Sequence, residues 1–146
     1  MLEALQFVAV LSCTVFTGAA IYINLVEHPA RMGCGTELAI TEWAPSYKRA
    51  VGLQVPLAVI STVAGVGSWL MTGQILWLLA ALLIFSVIPF TFIAIMPTNN
   101  SLLDPGVDKT STATRALLEK WGKLHGVRSI LSFIASSLFL ILILRS

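Results

Sequence analysis

The sequence predicts an all-α membrane protein, a four-helix transmembrane bundle forming one domain over residues 1–146, with helices two and four extended on the cytoplasmic side. Three observations predict it. The chain is 57% hydrophobic and only 11% charged, with a mean hydropathy of +0.89, far too apolar for a water-soluble domain of 146 residues. Four stretches, at about residues 4–26, 51–71, 75–96 and 127–144, each approach or exceed the roughly 20 residues that carry a helix across a bilayer. The basic residues are also unevenly placed: Arg31, Lys48, Arg49, Lys109, Arg115, Lys120, Lys123 and Arg128 lie on or beside two long connections, and only Arg145 remains for the other face.

The first span follows Met1-Leu2-Glu3, which carries an acid and no basic residue, and no small-x-small cleavage site ends it, so it is expected to stay in the mature protein. Pro29 disfavours helical geometry at His28, and helix one is expected to end or bend there. Thr41-Glu42-Trp43 reads as the start of helix two, with Thr41 as cap and Pro45 in the first turn, where its missing amide costs nothing. Thr72-Gly73-Gln74 turns spans two and three into an antiparallel hairpin. Pro89 is expected to kink span three. Asp104-Pro105-Gly106 is a turn, after which a helix starting between Thr110 and Thr114 runs through Trp121 into span four.

By the positive-inside rule the two long connections are cytoplasmic and both termini lie on the opposite side. The net charge of +2 then reflects topology, and no basic patch interleaved with aromatics suggests nucleic acid. Cys13 and Cys34 fall at different levels and in no metal-type spacing, so neither a bridge nor a Cys-based metal site is expected. Asn99-Asn100-Ser101 has the letters of a glycosylation sequon on a side where it would stay unmodified. The small residues from Ser61 to Gly67 and the pair Gly122 and Gly126 read as close helix packing.

The polar residues of the spans form three stripes at 100° per residue: Thr17, Ile21, Asn24 and His28 with Glu27 beside them; Trp43, Tyr47, Ala50, Gln54 and Ser61; and Trp121, His125, Arg128 and Ser132. Ionisable groups are costly in hydrocarbon, so such stripes face a bundle interior, pair with one another or do chemistry. All three lie toward the cytoplasmic ends, as do Thr91 and Asn99, so Asn24, Glu27, His28, Gln54, His125 and Arg128 are expected to line one cavity. The opposite half is almost wholly apolar, which gives ions no continuous path and argues against a channel. Against this stand plainer readings: Trp43 and Trp121 as interface-belt aromatics, Arg31 as a simple i+4 partner of Glu27, and each histidine as a hydrogen-bonded structural residue.

The ordered set Tyr22-x-Asn24-x-x-Glu27-His28-Pro29-Ala30-Arg31, Trp43-x-x-x-Tyr47-x-Arg49-x-x-x-x-Gln54, Pro89-Phe90-Thr91 with Pro97-Thr98-Asn99, and Trp121-x-x-x-His125-x-x-Arg128 resembles the anthrone oxygenase-like family of small four-span membrane proteins. The resemblance covers nearly the whole chain. It implies an integral membrane oxygenase that oxidises a hydrophobic phenolic or polycyclic, anthrone-type substrate. An anthrone has an acidic methylene whose enolate can itself reduce dioxygen, so a base and an anion site suffice, with dioxygen as co-substrate and no required cofactor. His28, His125, Glu27 and Arg128 are the candidate catalytic residues: imidazole is the natural base near neutral pH, and Arg128 can hold the oxyanion. Asn24, Trp43, Tyr47, Gln54, Thr91, Asn99 and Trp121 are the candidate substrate-binding residues, through amide hydrogen bonds and aromatic stacking.

Two alternatives remain at this level. His28 and His125, with Glu27, could ligate a haem or redox metal in the bundle. The chain could also be a non-catalytic binding or assembly module whose polar core fixes helix register. The partners implied are the lipid bilayer and a hydrophobic small molecule, with monomer and homo-oligomer both open.

Overall fold

The computed structural model describes residues 1–145; Ser146, the last residue of the predicted domain, lies outside them. Every regular element is helical: α1 (Leu2–Tyr22), a π-helical turn (Ile23–Glu27), α2 (His28–Gly33), α3 (Thr36–Thr72), α4 (Ile75–Phe90), a second π-helical turn (Thr91–Ile95), α5 (Met96–Leu102) and α6 (Thr112–Arg145). Together they make four rods, each long and apolar enough to cross a membrane. In the bundle α1 packs on α3 and α6, and α4 packs on the same two, so α1 and α4 stand at opposite corners. The protein is a membrane-embedded four-helix bundle.

All four rods, of 32, 37, 28 and 34 residues, outrun the roughly 20 residues that cross a bilayer, α3 and α6 by the most. With 37 residues in α3 and 34 in α6, a rise of about 1.5 Å per residue makes each roughly 50 Å long, against about 30 Å of hydrocarbon. The excess lies at the end where the two long connections emerge, and the polar residues gather there. The other half is packed from small residues and rings: Ala9, Cys13, Phe16, Ala80, Ala81 and Phe139 are all fully buried. Gly65 is part of that fit, since a Cβ on it would stand 2.9 Å from the Phe139 ring and 3.0 Å from Ala81 Cβ. Cys13 is buried, Cys34 is exposed, and both are free thiols.

The helix limits differ from the sequence expectation in two places. Helix one does not end at His28. The His28 amide reaches back five residues to the Ile23 carbonyl, and the helix continues to Gly33. This π turn reshapes the backbone just before Pro29, whose ring would clash with a regular helical carbonyl four residues back. The same device recurs before Pro97, where the Met96 amide bonds the Thr91 carbonyl. Helix two begins at Thr36, not at a Thr41 cap, so Pro45 lies inside the helix. The actual start is set by Gly35, whose φ of +89° is open to glycine and strained for other residues, and which lets α2 and α3 join through Cys34-Gly35 alone.

Elsewhere the turn residues act as their chemistry predicts. Gly73, with φ +71°, terminates α3 and donates its amide to the Trp69 carbonyl at 2.7 Å. Asp104 Oδ1 accepts the Gly106 amide at 2.7 Å to close the Asp-Pro-Gly turn. Ser111 caps α6, its Oγ accepting the Thr114 amide at 3.1 Å.

Candidate active site

The site assembles around Asn24, which the first π turn carries toward α6. Asn24 Nδ2 donates to the Gly122 carbonyl at 2.9 Å, a group that can only accept, and this orients the amide. Its Oδ1 therefore faces the other way, accepting the Ser129 hydroxyl at 2.6 Å and lying 2.6 Å from His125 Nδ1. Since that oxygen can only accept, His125 carries its proton on Nδ1, and the lone pair sits on Nε2, which has no hydrogen-bond partner among the described residues.

Aromatic rings continue the cluster from α6 to α3. Trp121 lies 4.9 Å from His125 and 5.1 Å from His28 between ring centres, which puts the two imidazoles within about 10 Å of each other. Trp43 meets Trp121 edge-on at 5.7 Å and stacks nearly parallel on Tyr47 at 5.1 Å. Trp43 is completely buried and Trp121 nearly so, so neither belongs to an interface belt. Asn99, also fully buried, donates Nδ2 to the Tyr47 hydroxyl at 3.1 Å; the sequon asparagine is thus inaccessible as well. His28 fits only because residue 122 is glycine, where a Cβ would lie 2.6 Å from the imidazole Cδ2.

Arg128 is the electrostatic centre. Its guanidinium is buried, donates Nη2 to Gln54 Oε1 at 2.9 Å and lies 5.5 Å from the centre of the Phe16 ring. Among the described residues no carboxylate pairs with it. Arg128 Nε and Gln54 Nε2 are both buried donors without a partner, as is the Trp121 indole N–H. Buried donors of this kind are normally satisfied, and these three residues lie around one small space.

The expected single cavity is a packed cluster with separate spaces around it, because the side chains bond and stack on one another instead of leaving a void. A slot of about 10 Å³, room for one water molecule, lies among Tyr47, Gln54, Trp121, His125 and Arg128. Beside it, sharing Ile23, Ser46, Ala50 and Gln54, a groove of about 520 Å³ opens between α1 and α3 past Tyr22, Glu27 and Arg49. On the slot's other flank, sharing Tyr47, Val51, Gln54 and Arg128, lies an apolar cavity of about 110 Å³ between α3 and α4, bordered by Thr91. Thr91 donates its hydroxyl to the Val87 carbonyl of its own helix at 2.6 Å. Asn24 and His28 border a different groove, with Gly122 and Lys123.

Glu27 does not join the histidines. Neighbouring helical residues point about 100° apart, and its carboxylate faces the large groove, accepting bonds from Arg31 and from the Ser46 hydroxyl. Arg31 also pairs with Glu42 and, itself buried, borders the slot. The set His28, His125 and Glu27 therefore forms no common ligand cluster, and among the described residues no three His, Cys, Asp or Glu side chains converge. Sequence reasoning passed over Arg31 as a simple i+4 partner and missed Ser46 and Ser129. Ser129 had a readable signal, one turn beyond His125 on the same face.

The fold and the site together define a four-helix membrane bundle with a cluster of buried polar side chains toward one end. The model of the anthrone oxygenase family matches residues 43–138, a range that contains every candidate from Trp43 to Arg128 and begins after Asn24 and His28. An anthrone oxygenase of Claviceps purpurea is 30% identical over 138 residues, 85% of this chain and 79% of that protein. Anthrone oxygenase tpcL of Aspergillus fumigatus is 37% identical over 71 residues, 47% of this chain and 44% of that one. Anthrone oxygenase gedH of Aspergillus terreus is 39% identical over 54 residues, 36% of each chain. No solved structure matches the chain. This chain belongs to the anthrone oxygenase family and, with it, to the oxygenases.

Proposed function

We propose that the protein oxidises an anthrone-type, hydrophobic phenolic polycycle with dioxygen, the substrate's rings lying in the groove between α1 and α3 and its oxygen reaching the slot. The observation that carries this reading is Arg128: a buried cation without a carboxylate costs several kcal/mol, and an enolate formed beside it offsets that cost only as the reaction proceeds. Transition-state charge stabilised by preorganised donors is the strongest single catalytic device. Arg128 Nε and Gln54 Nε2 are the free donors for that oxyanion, and His125 Nε2 is the base, oriented by Asn24.

In this reading His125 takes one methylene proton, and the enolate transfers an electron to dioxygen. Recombination of the two radicals forms a C–O bond and a peroxide anion, which takes up a proton. Loss of the second methylene hydrogen as a proton, with O–O cleavage, leaves the new carbonyl and one water. One dioxygen is consumed per quinone, and the electrons come from the substrate itself.

The test is to reconstitute the protein in lipid and supply 1,8-dihydroxyanthrone, subtracting spontaneous autoxidation. Quinone formation with equimolar oxygen uptake and one ¹⁸O from labelled dioxygen in the product is expected, and Arg128→Gln should lower kcat/KM by about 10²- to 10³-fold, the range for losing an oxyanion donor. A wild-type rate no faster than autoxidation excludes this substrate class, and an unimpaired Arg128→Gln protein removes Arg128 from the chemistry.

A further inference from the structure

We propose that the apolar cavity between α3 and α4 is the binding site and lipid-side entry for dioxygen, an inference that rests on the oxygenase reading of the neighbouring slot. At about 110 Å³ it is smaller than cavities of about 150 Å³ that hold a single benzene or a xenon atom; a tricyclic substrate is excluded and a diatomic gas is not. Its walls include Phe16, Ala58 and Val87, all buried, while Val55 and Phe92 at its edge are 44% and 65% exposed on the outer face of the bundle. Hydrocarbon covers that face, and dioxygen, being apolar, concentrates in hydrocarbon over water.

The cavity's inner end carries the polarity. Gln54 is only 2% exposed, it borders the cavity and the slot alike, and its Nε2 has no partner; Arg128 borders both in the same way with Nε free. Dioxygen held there lies beside Arg128, so the cation that steadies the enolate also favours electron transfer to an oxygen that becomes anionic. The two reactants thus enter by separate routes, the polycycle by the groove between α1 and α3 and the gas between α3 and α4.

Dioxygen is paramagnetic, and this gives a test that needs no turnover. Methyl relaxation is measured in nanodiscs under dioxygen and under nitrogen. Ala58 and Val87, which line the cavity, should relax faster under dioxygen than Ala81 and Ile84, which are equally buried but do not line it. Val55→Trp, at the exposed edge, should remove the difference and raise the KM for dioxygen about tenfold while leaving the KM for 1,8-dihydroxyanthrone unchanged. Equal relaxation at the four buried methyl sites overturns the proposal, as does a Val55→Trp protein in which both the relaxation and the KM for dioxygen stay as in the native chain. Enhanced relaxation at Ala58 and Val87 without anthrone turnover would support the dioxygen site and count against the anthrone reading alone.

Discussion

Asn24 decides which nitrogen of His125 can act. Its own carboxamide is locked by the Gly122 carbonyl, so the imidazole is left with Nδ1–H toward Asn24 and a lone pair on Nε2. Glutamine at position 125 can still donate a hydrogen bond toward Asn24 but cannot accept a proton near neutral pH. His125→Gln should therefore leave the protein folded and inserted, by helical content and thermal midpoint, while lowering turnover at least about 100-fold, the low end for general base catalysis. A fully active His125→Gln protein would leave His28 as the remaining imidazole candidate. Arg128 obeys the same residue-scale logic: its stabilising neighbours, Gln54 and Phe16, are neutral, so its charge stays available to a guest.

At the scale of elements, the approach of α1 and α2 to α6 is set by two glycines that the sequence presents as a matched pair and that are not equivalent. Gly122 carries the His28 ring against its Cα, whereas a Cβ on Gly126 would meet Asn24 Nδ2 at an ordinary 3.7 Å. Gly122→Ala should cost about 1 to 3 kcal/mol of stability, as overpacking does, and displace the His28 ring. Gly126→Ala should be neutral or stabilising through its better helix propensity. Thermal unfolding in detergent and the His28 ring resonances check both outcomes. The two π turns belong to this scale too, each ending two residues before a proline, at Pro29 and Pro97, and each at the polar end of its rod. Such turns cluster at functional sites because they re-aim side chains without ending the helix; here one holds Asn24, and the other leads into α5 with Asn99.

For the whole molecule, the asymmetry of charge and the position of the cluster belong to one arrangement. The end that carries the extended α3 and α6 also carries the two long connections and eight of the nine basic residues. We infer that this end is cytoplasmic and that both termini lie on the far side. Cys34 is an exposed native thiol at the connection end, and Gln74→Cys would place a second at the opposite turn. A membrane-impermeant maleimide applied to sealed vesicles should label one of them and not the other, with the sides exchanged on inverted vesicles. Labelling of both from one side would overturn the four-crossing arrangement.

The sequence by itself determined that this chain is a membrane bundle, because the need to satisfy backbone groups in hydrocarbon leaves helices as the outcome of four long apolar runs. It also determined that Asn24, His28, Gln54, His125 and Arg128 turn inward at a shared depth, since hydrocarbon tolerates them only there, and this was legible from helical periodicity. Turn chemistry at Gly73 and Asp104 was legible because it depends on neighbouring residues alone. Only the tertiary structure decided the rest, because it depends on contacts between residues far apart in sequence. Glu27 is drawn away to Arg31 and Ser46, the latter 19 residues on; Asn24 chooses the tautomer of a histidine 101 residues away; and Arg128 meets no acid among the described residues, α3 setting Gln54 beside it. Composition and spacing reveal that a polar residue must find a partner, whereas which partner it finds, and which donors are left free for a substrate, follows from how the four helices pack.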